Sequence, residues 1–142
     1  MTMESEKLWK KFSKAYREYK ANEYGYVICF TCGYSNHYKR MDTGHYIDRR
    51  HGAVKFNPLN IEIQCMICNR LNNGQIEKYR KNLIERYGAD VEELLHNEAK
   101  FGAPMLQHEV ETMITYYKQL KKLKDEARQN LRPSGSEAKE EV

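Results

Sequence analysis

Four cysteines stand in two pairs of identical spacing, Cys29-Phe30-Thr31-Cys32 and Cys65-Met66-Ile67-Cys68. A Cys-x-x-Cys loop turns two sulfurs toward one point, and four thiolates complete a tetrahedral zinc site with bonds of about 2.3 Å. The first residues, Met1 to Lys11, lack the apolar core of a secretion signal, so the pairs are expected to bind metal rather than to form disulfides. Such a site is closed. Its role is expected to be structural, and its contribution to folding is on the order of 10 kcal/mol.

The spacing between the pairs is the unusual feature. The 32 residues between Cys32 and Cys65 exceed the roughly 15 to 20 of common four-cysteine zinc modules. The insert holds Asp42-Thr43-Gly44-His45 and Asn60, and Asn69 follows the second pair directly. Zinc is therefore expected to tie the ends of a hairpin carrying His45 to the start of a helix carrying Asn69.

The elements that must hold these groups follow from periodicity. Leu8, Phe12, Ala15 and Tyr19, with Trp9 and Tyr16 alongside, predict an amphipathic helix over Glu4 to Asn22. A short strand or knuckle is expected over Tyr26 to Phe30, and strands over Gly44 to Asp48 and Ile61 to Gln64 form a β-hairpin. Helical pattern begins at Met66, is broken or kinked at Asn72-Asn73-Gly74, and resumes through Ile76, Tyr79, Leu83 and Tyr87 to a stop at Gly88. Asp90 with Glu93 resembles a capping box for a short helix ending before Phe101-Gly102-Ala103-Pro104. A last helix is expected from Met105 to Arg128, its stripe of Leu106, Val110, Met113, Tyr117 and Leu120 suiting packing on the body or a short coiled coil. The expected class is α+β. Its parts are an N-terminal helix (1–24), a zinc-bound core (25–100), a C-terminal helix (101–131) and a disordered acidic tail (132–142).

Net charge is +4, and because the last ten residues are acidic, residues 1–132 carry +6. Basic residues cluster near the N-terminus (Lys7 to Lys20), in the middle (Lys39, Arg40, Arg49, Arg50, Lys55) and near the C-terminus (Lys118 to Lys124), which suits a polyanion or merely solvated helix faces. No stretch approaches the ~18 apolar residues of a membrane span. A soluble, cytoplasmic protein of a single core is expected, with no small-molecule substrate.

His45, Asn60 and Asn69 stand in the order and approximate spacing of the HNH nuclease motif, with the second Cys-x-x-Cys immediately before the last position. Asparagine at that last position is similar to the endonuclease VII type of junction resolvase. The sequence resembles most the lambdoid phage NinG (Rap) recombination endonucleases. The likeness runs through Gly44-His45-Tyr46, Phe56-Asn57-x-Leu59-Asn60-Ile61, Gln64-Cys65-x-x-Cys68-Asn69 and Tyr79-Arg80-x-Asn82-Leu83-Ile84, covering roughly residues 26–95. The resemblance implies a zinc-stapled ββα-metal (HNH) core and hydrolysis of DNA phosphodiester bonds, on branched or recombining DNA such as Holliday junctions and D-loops. It also implies a bacterial host cell as the setting.

Residue chemistry agrees with those implied roles. A neutral imidazole at His45 can take a proton from an attacking water, and Asn69 offers a hard amide oxygen to Mg²⁺ or Mn²⁺. Asn60 is expected to hold the His45 loop by hydrogen bonds rather than to touch substrate. Gly44 departs from the pattern, since many HNH enzymes place a metal-binding Asp or His there; Asp42-x-Gly44-His45 instead resembles the DRGH pattern of non-specific ββα-metal nucleases. Asp42 could then bind the metal, hold a water ligand or orient the site, with Asp48, Asn72 and Glu77 as alternatives. Arg49 and Arg50 are expected to bind phosphate or stabilise transition-state charge, and Lys55, Arg70 and Arg80 either position DNA or face solvent.

His37 and His51, in polar loops, are expected to touch DNA or nothing, His96 and His108 to be ordinary surface or packing residues, Tyr79, Tyr87 and Tyr117 to be core, and Tyr46 to lie close to the site. Two rival functions remain open: a zinc-stabilised nucleic-acid-binding module with a degenerate nuclease site, and a non-selective HNH nicking nuclease. A homodimer is plausible because cutting a symmetric junction is simplest with twofold-related sites.

Overall fold

The N-terminal helix forms where the apolar residues recur three and four apart. In the computed structural model, which describes residues 3–131, α1 runs Met3–Lys20, with Glu4 and Glu6 in its first turn and Arg17 and Lys20 in its last, complementing the helix dipole. Trp9, Phe12, Ala15 and Tyr16 are buried, against Val110, Ile114 and Tyr117 of the last helix, α4 (Gln107–Leu131). The Lys124 ammonium donates to the carbonyls of Tyr19 and Ala21 at 2.8 and 2.9 Å, satisfying acceptors that the end of α1 leaves open.

Two antiparallel pairs follow α1. Strands β1 (Tyr26–Ile28) and β2 (Ser35–His37) form one, and the turn between them carries Cys29 and Cys32. Gly33 closes that turn at φ +79°, a left-handed conformation that glycine adopts without steric cost. Strands β3 (Asp42–His45) and β4 (Ile61–Gln64) form the other, with Gly44 opposite Glu62 and His45 opposite Ile61. The loop between β3 and β4 contains 3₁₀ turns at Gly52–Val54 and Pro58–Asn60.

The chain leaves β4 into a π-helical turn, Ile67–Leu71, which holds Cys68 and Asn69. Then come three successive left-handed residues, Asn73, Gly74 and Gln75 (φ 52°, 80° and 51°), before α2 (Ile76–Tyr87) and α3 (Val91–Phe101). Strand β4 is buried along its length, so its period of two divides two interiors. Ile61 and Ile63 enter the apolar cluster made with α1 and α4, while Glu62 meets Arg86 of α2 at 2.6 Å. On the α2 side, Tyr46, Ile47, Val54, Tyr79, Leu83, Val91 and Leu95 form a second apolar cluster. The β3–β4 pair thus sits between two cores, a rigid mounting for whatever projects from its ends.

Several expectations are corrected. The first hairpin strand is Asp42–His45, not Gly44–Asp48, because Ile47 bonds the side chain of Asn60 instead of a strand partner. Strand β1 stops at Ile28, where Cys29 bends into the knuckle and the Phe30 amide turns to the Ile63 carbonyl. Asp90 makes no side-chain cap to α3. Helix α4 starts at Gln107, with the Glu109 carboxylate accepting from the Leu106 amide; Leu106 is exposed and Ile114 takes a core place. The buried stripe of α4 is covered by α1. Tyr79 and Tyr117 are core, whereas Tyr87, on the last turn of α2, is 42% exposed. The expected tail, 132–142, lies outside the described residues.

Candidate metal centre and the His45 cleft

The knuckle after β1 and the turn after β4 converge. The four cysteine sulfurs all lie within 4.8 Å of one another, and Cys32 Sγ is 3.7 Å from Cys65 Sγ. A tetrahedron with 2.3 Å metal–sulfur bonds has edges of about 3.8 Å, whereas a disulfide would need about 2.05 Å. The residues therefore fit one four-coordinate metal, and their all-thiolate chemistry suits zinc. Supporting donors are in place: the Cys68 amide donates to Cys65 Sγ at 3.4 Å, and Thr31 Oγ1 lies 3.4 Å from Cys29 Sγ. With the amide of Phe30 donating to Ile63 O at 2.8 Å, this centre ties the first hairpin to the second.

A cleft of about 970 Å³ runs along β3 from Asp42 to His45. His45 and Asn69 both line it, together with Asp42, Asp48 and four arginines, Arg17, Arg49, Arg50 and Arg70. Four guanidinium groups against two carboxylates leave the cleft cationic, suited to an anion.

His45 sits at the end of β3 with its ring centroid 4.8 Å from that of Trp9. Its Nε2 lies 2.8 Å from the carbonyl oxygen of Lys55. A carbonyl can only accept, so Nε2 carries the proton and Nδ1 keeps its lone pair. Burial pushes the imidazole down to about 4; the Lys55 carbonyl opposes that shift, and the positive charges of Arg49 and Lys55 add to it. The ring is therefore neutral at physiological pH, with one defined acceptor nitrogen.

Asn60 is fully buried behind the site. Its Oδ1 accepts from the Ile47 amide at 2.8 Å, and its Nδ2 donates to the carbonyls of Ile47 and Val54 at 2.9 and 3.1 Å. Three bonds from one side chain thus clamp the segment after His45 to the segment ending at Lys55, whose carbonyl fixes the imidazole.

Asn69 comes from the π-helical turn one residue beyond Cys68. Its Nδ2 donates to Asp42 Oδ2 at 3.0 Å, which leaves the amide oxygen as the end able to accept or ligate. Asp42 also takes a two-pronged bond from Arg70, both N···O distances being 2.9 Å. Both Asp42 oxygens are thus already engaged. Arg49 pairs with Glu6 at 3.5 Å and Arg50 with Asp48 at 3.1 Å, so each reaches the cleft from a solvated ion pair.

Gly44 has a steric explanation. A Cβ there would stand 1.9 Å from Gln64 Oε1. The fully buried Gln64 lies across Gly44 while its Nε2 donates to Thr31 Oγ1 at 3.1 Å and to Gly74 O at 2.8 Å. Any ligand-bearing residue in place of Gly44 would displace this side chain, which links the cysteine knuckle to the cleft wall.

Not every expected residue reaches the cleft. Lys55 is buried, its ammonium 5.3 Å from the Phe56 ring centroid, and it does not line the cleft; its backbone carbonyl is what meets His45. Arg80 projects from α2 into a pair with Glu92, and Asn72 and Glu77 do not line the cleft. His37 Nδ1 accepts from the Lys39 amide, and His96 packs by Tyr46. Tyr46 does line the cleft. Trp9, Ser13 and Arg17 of α1 line it as well, unforeseen as site residues. They recur every four residues and so form one ridge, a signal present in the sequence; Ser13 Oγ meets Thr43 Oγ1 at 2.7 Å and docks that ridge on β3.

The chain has recognisable relatives. The family model described as "Bacteriophage Lambda NinG protein" matches residues 3–129. Protein ninG of Escherichia phage lambda is 34% identical over 112 residues, covering 78% of this chain and 50% of that protein. Protein ninG of Salmonella phage P22 is 37% identical over 68 residues, covering 46% of this chain and 33% of that protein. The chain thus spans half or less of the length of these relatives. No solved structure matches it.

Proposed function

The chain belongs to the family of the bacteriophage lambda NinG protein, and from that premise we propose that it is a metal-dependent DNA endonuclease of the HNH (ββα-metal) type. The observation that carries the reading is that His45 and Asn69 line a single arginine-rich cleft. Two antiparallel strands followed by a cysteine-anchored helical turn supply the ββα order of such a core.

In this reading the Asn69 amide oxygen, oriented by Asp42, would hold a divalent cation, Mg²⁺ or Mn²⁺, and the ion would supply Lewis-acid chemistry toward a phosphodiester. Asp42 acts as a positioning group, its carboxylate engaged by Asn69 and Arg70. His45 Nδ1 takes the proton of the attacking water. The Lys55 carbonyl holds the Nε2 proton, fixes the tautomer and accepts from the imidazolium as it forms. An approaching phosphodiester brings negative charge, which raises the basicity that burial has lowered. Arg49 and Arg50 are free to swing from their solvated pairs onto phosphate. Cys29, Cys32, Cys65 and Cys68 would hold zinc as a structural ion, four thiolates leaving it no open position.

Selectivity for branched or recombining DNA extends the reading through the resemblance to recombination endonucleases, and action in the cytoplasm of a bacterial host through the phage sources of the relatives. A degenerate site that binds DNA without cutting is the second reading, motivated by Gly44. A non-selective nicking nuclease is the third. Matched linear and four-way substrates in Mg²⁺ separate them. Preferential cutting of the junction supports the first, equal cutting removes the junction claim, and binding without cutting supports the second. His45→Ala is expected to abolish cleavage while DNA binding, fold and zinc content persist. A homodimer on a symmetric junction would need a surface other than the buried stripe of α4.

A further inference from the structure

A second groove lies apart from the His45 cleft and shares no lining residue with it. Its floor is the cysteine knuckle and the edge of β4; its rim is the outward face of β1, where Tyr26 is 47% and Ile28 66% exposed. These two side chains alternate with the buried Val27, so they stand on one face of the hairpin. Across the groove come Lys20 from the end of α1 and Lys124 and Arg128 from α4. Arg86 and Glu62 are already paired, leaving Glu85 as the remaining acidic group among the lining residues. Lys20 is exposed. Lys124 caps α1 through the Tyr19 and Ala21 carbonyls and Arg128 lies 3.5 Å from Asp125, so Lys20 is the exposed cation of a wall that keeps a net positive charge, opposite an aromatic-aliphatic one.

From this juxtaposition of exposed Tyr26 and Ile28 with Lys20, Lys124 and Arg128, we infer that the groove binds a single strand of DNA. Phosphates run along the cationic wall and a base stacks on Tyr26. That composition matches what unpaired strands require: charge that follows the backbone and a ring face that any base can cover. A duplex would satisfy the charge but hide its bases from Tyr26. An acidic protein would use the charge but gain nothing specific from an exposed ring face. The choice of DNA rests on the endonuclease reading, since the groove chemistry by itself suits any unpaired nucleic-acid strand. Branched intermediates such as D-loops carry a displaced unpaired strand, and a strand held here would leave the duplex arm for the His45 cleft.

The test is fluorescence anisotropy with a labelled thymidine oligonucleotide of about 16 nucleotides, near the upper site size of one small binding fold. It is run in the His45→Ala background so that no strand is cut and the result does not depend on cleavage. Tyr26→Ala is expected to weaken the oligonucleotide about 10-fold, in keeping with the loss of one stacked base, while Tyr26→Phe keeps wild-type affinity. Lys20→Glu is expected to weaken binding and reduce the slope of log affinity against log salt by about one or more. Circular dichroism and zinc content should match the parent in all three. Unchanged binding by Tyr26→Ala, or a Tyr26→Phe variant as weak as Tyr26→Ala, overturns the inference. An equal loss of affinity for a blunt duplex does so too, since it would show that charge and not stacking is at work.

Discussion

Replacing Gly44 by alanine sets two effects of opposite sign against each other. On backbone grounds alone the change should help, because glycine inside a strand is less stable than alanine by roughly 0.5–1 kcal/mol. The surroundings oppose it: the new Cβ would lie 1.9 Å from Gln64 Oε1, 2.7 Å from Cδ and 3.0 Å from Cγ, so Gln64 must leave its position. Gln64 is fully buried, and moving it breaks the bonds to Thr31 and Gly74. Two lost hydrogen bonds at about 1 kcal/mol each, with 1–3 kcal/mol for overpacking, outweigh the backbone gain, so Gly44→Ala should destabilise by about 2–4 kcal/mol. In a Gln64→Ala background the obstacle is gone and the same change should cost less than about 0.5 kcal/mol or help. Urea denaturation of the four proteins at saturating zinc measures this cycle. Additive effects, or a Gly44→Ala protein as stable as wild type, would refute the steric account of glycine at this position.

The other expectations are simpler. Asn60→Ala removes three buried bonds and should cost about 2–4 kcal/mol in urea denaturation; a loss below about 0.5 kcal/mol would mean the clamp is not structural. Cys65→Ser should lose zinc and its tertiary structure, measured by metal analysis and near-ultraviolet circular dichroism; a folded zinc-free variant would make the staple dispensable. His45 has its folded-state pKa depressed from 6.5 to about 4, so between those values the unfolded chain binds the extra proton. The stability from keeping the ring neutral is fully present above about pH 6.5, is lost as pH falls toward 4, and amounts to no more than about 3 kcal/mol. An NMR titration of the His45 ring should show a midpoint near 4, and one near 6.5 would contradict its burial.

Much of the site could be read locally. The cysteine spacing, the order of His45, Asn60 and Asn69, and the break at Asn72-Asn73-Gly74 are features of short segments. Conformation there follows from turn chemistry and ligand spacing, and the structure brings the cysteines together. What escaped depends on contacts between residues far apart in the chain. Trp9 meets His45 only because the N-terminal helix packs across β3, and Lys55 looks like any loop lysine until its carbonyl is found under the imidazole. Gly44 read as a missing ligand because nothing nearby announces that Gln64, twenty residues on, fills its space. Strand and helix ends were displaced where a side chain replaced a backbone partner, Asn60 at Ile47 and Glu109 at Leu106.

The catalytic role given to the imidazole can be measured by chemical rescue. Single-turnover cleavage of a labelled substrate in Mg²⁺ should fall at least ~100-fold in His45→Gly, the lower range for loss of a general base, and added imidazole should restore part of the rate with a dependence on its neutral fraction. A His45→Gly protein, freed of contaminating nucleases, that cuts at the wild-type rate would contradict the account.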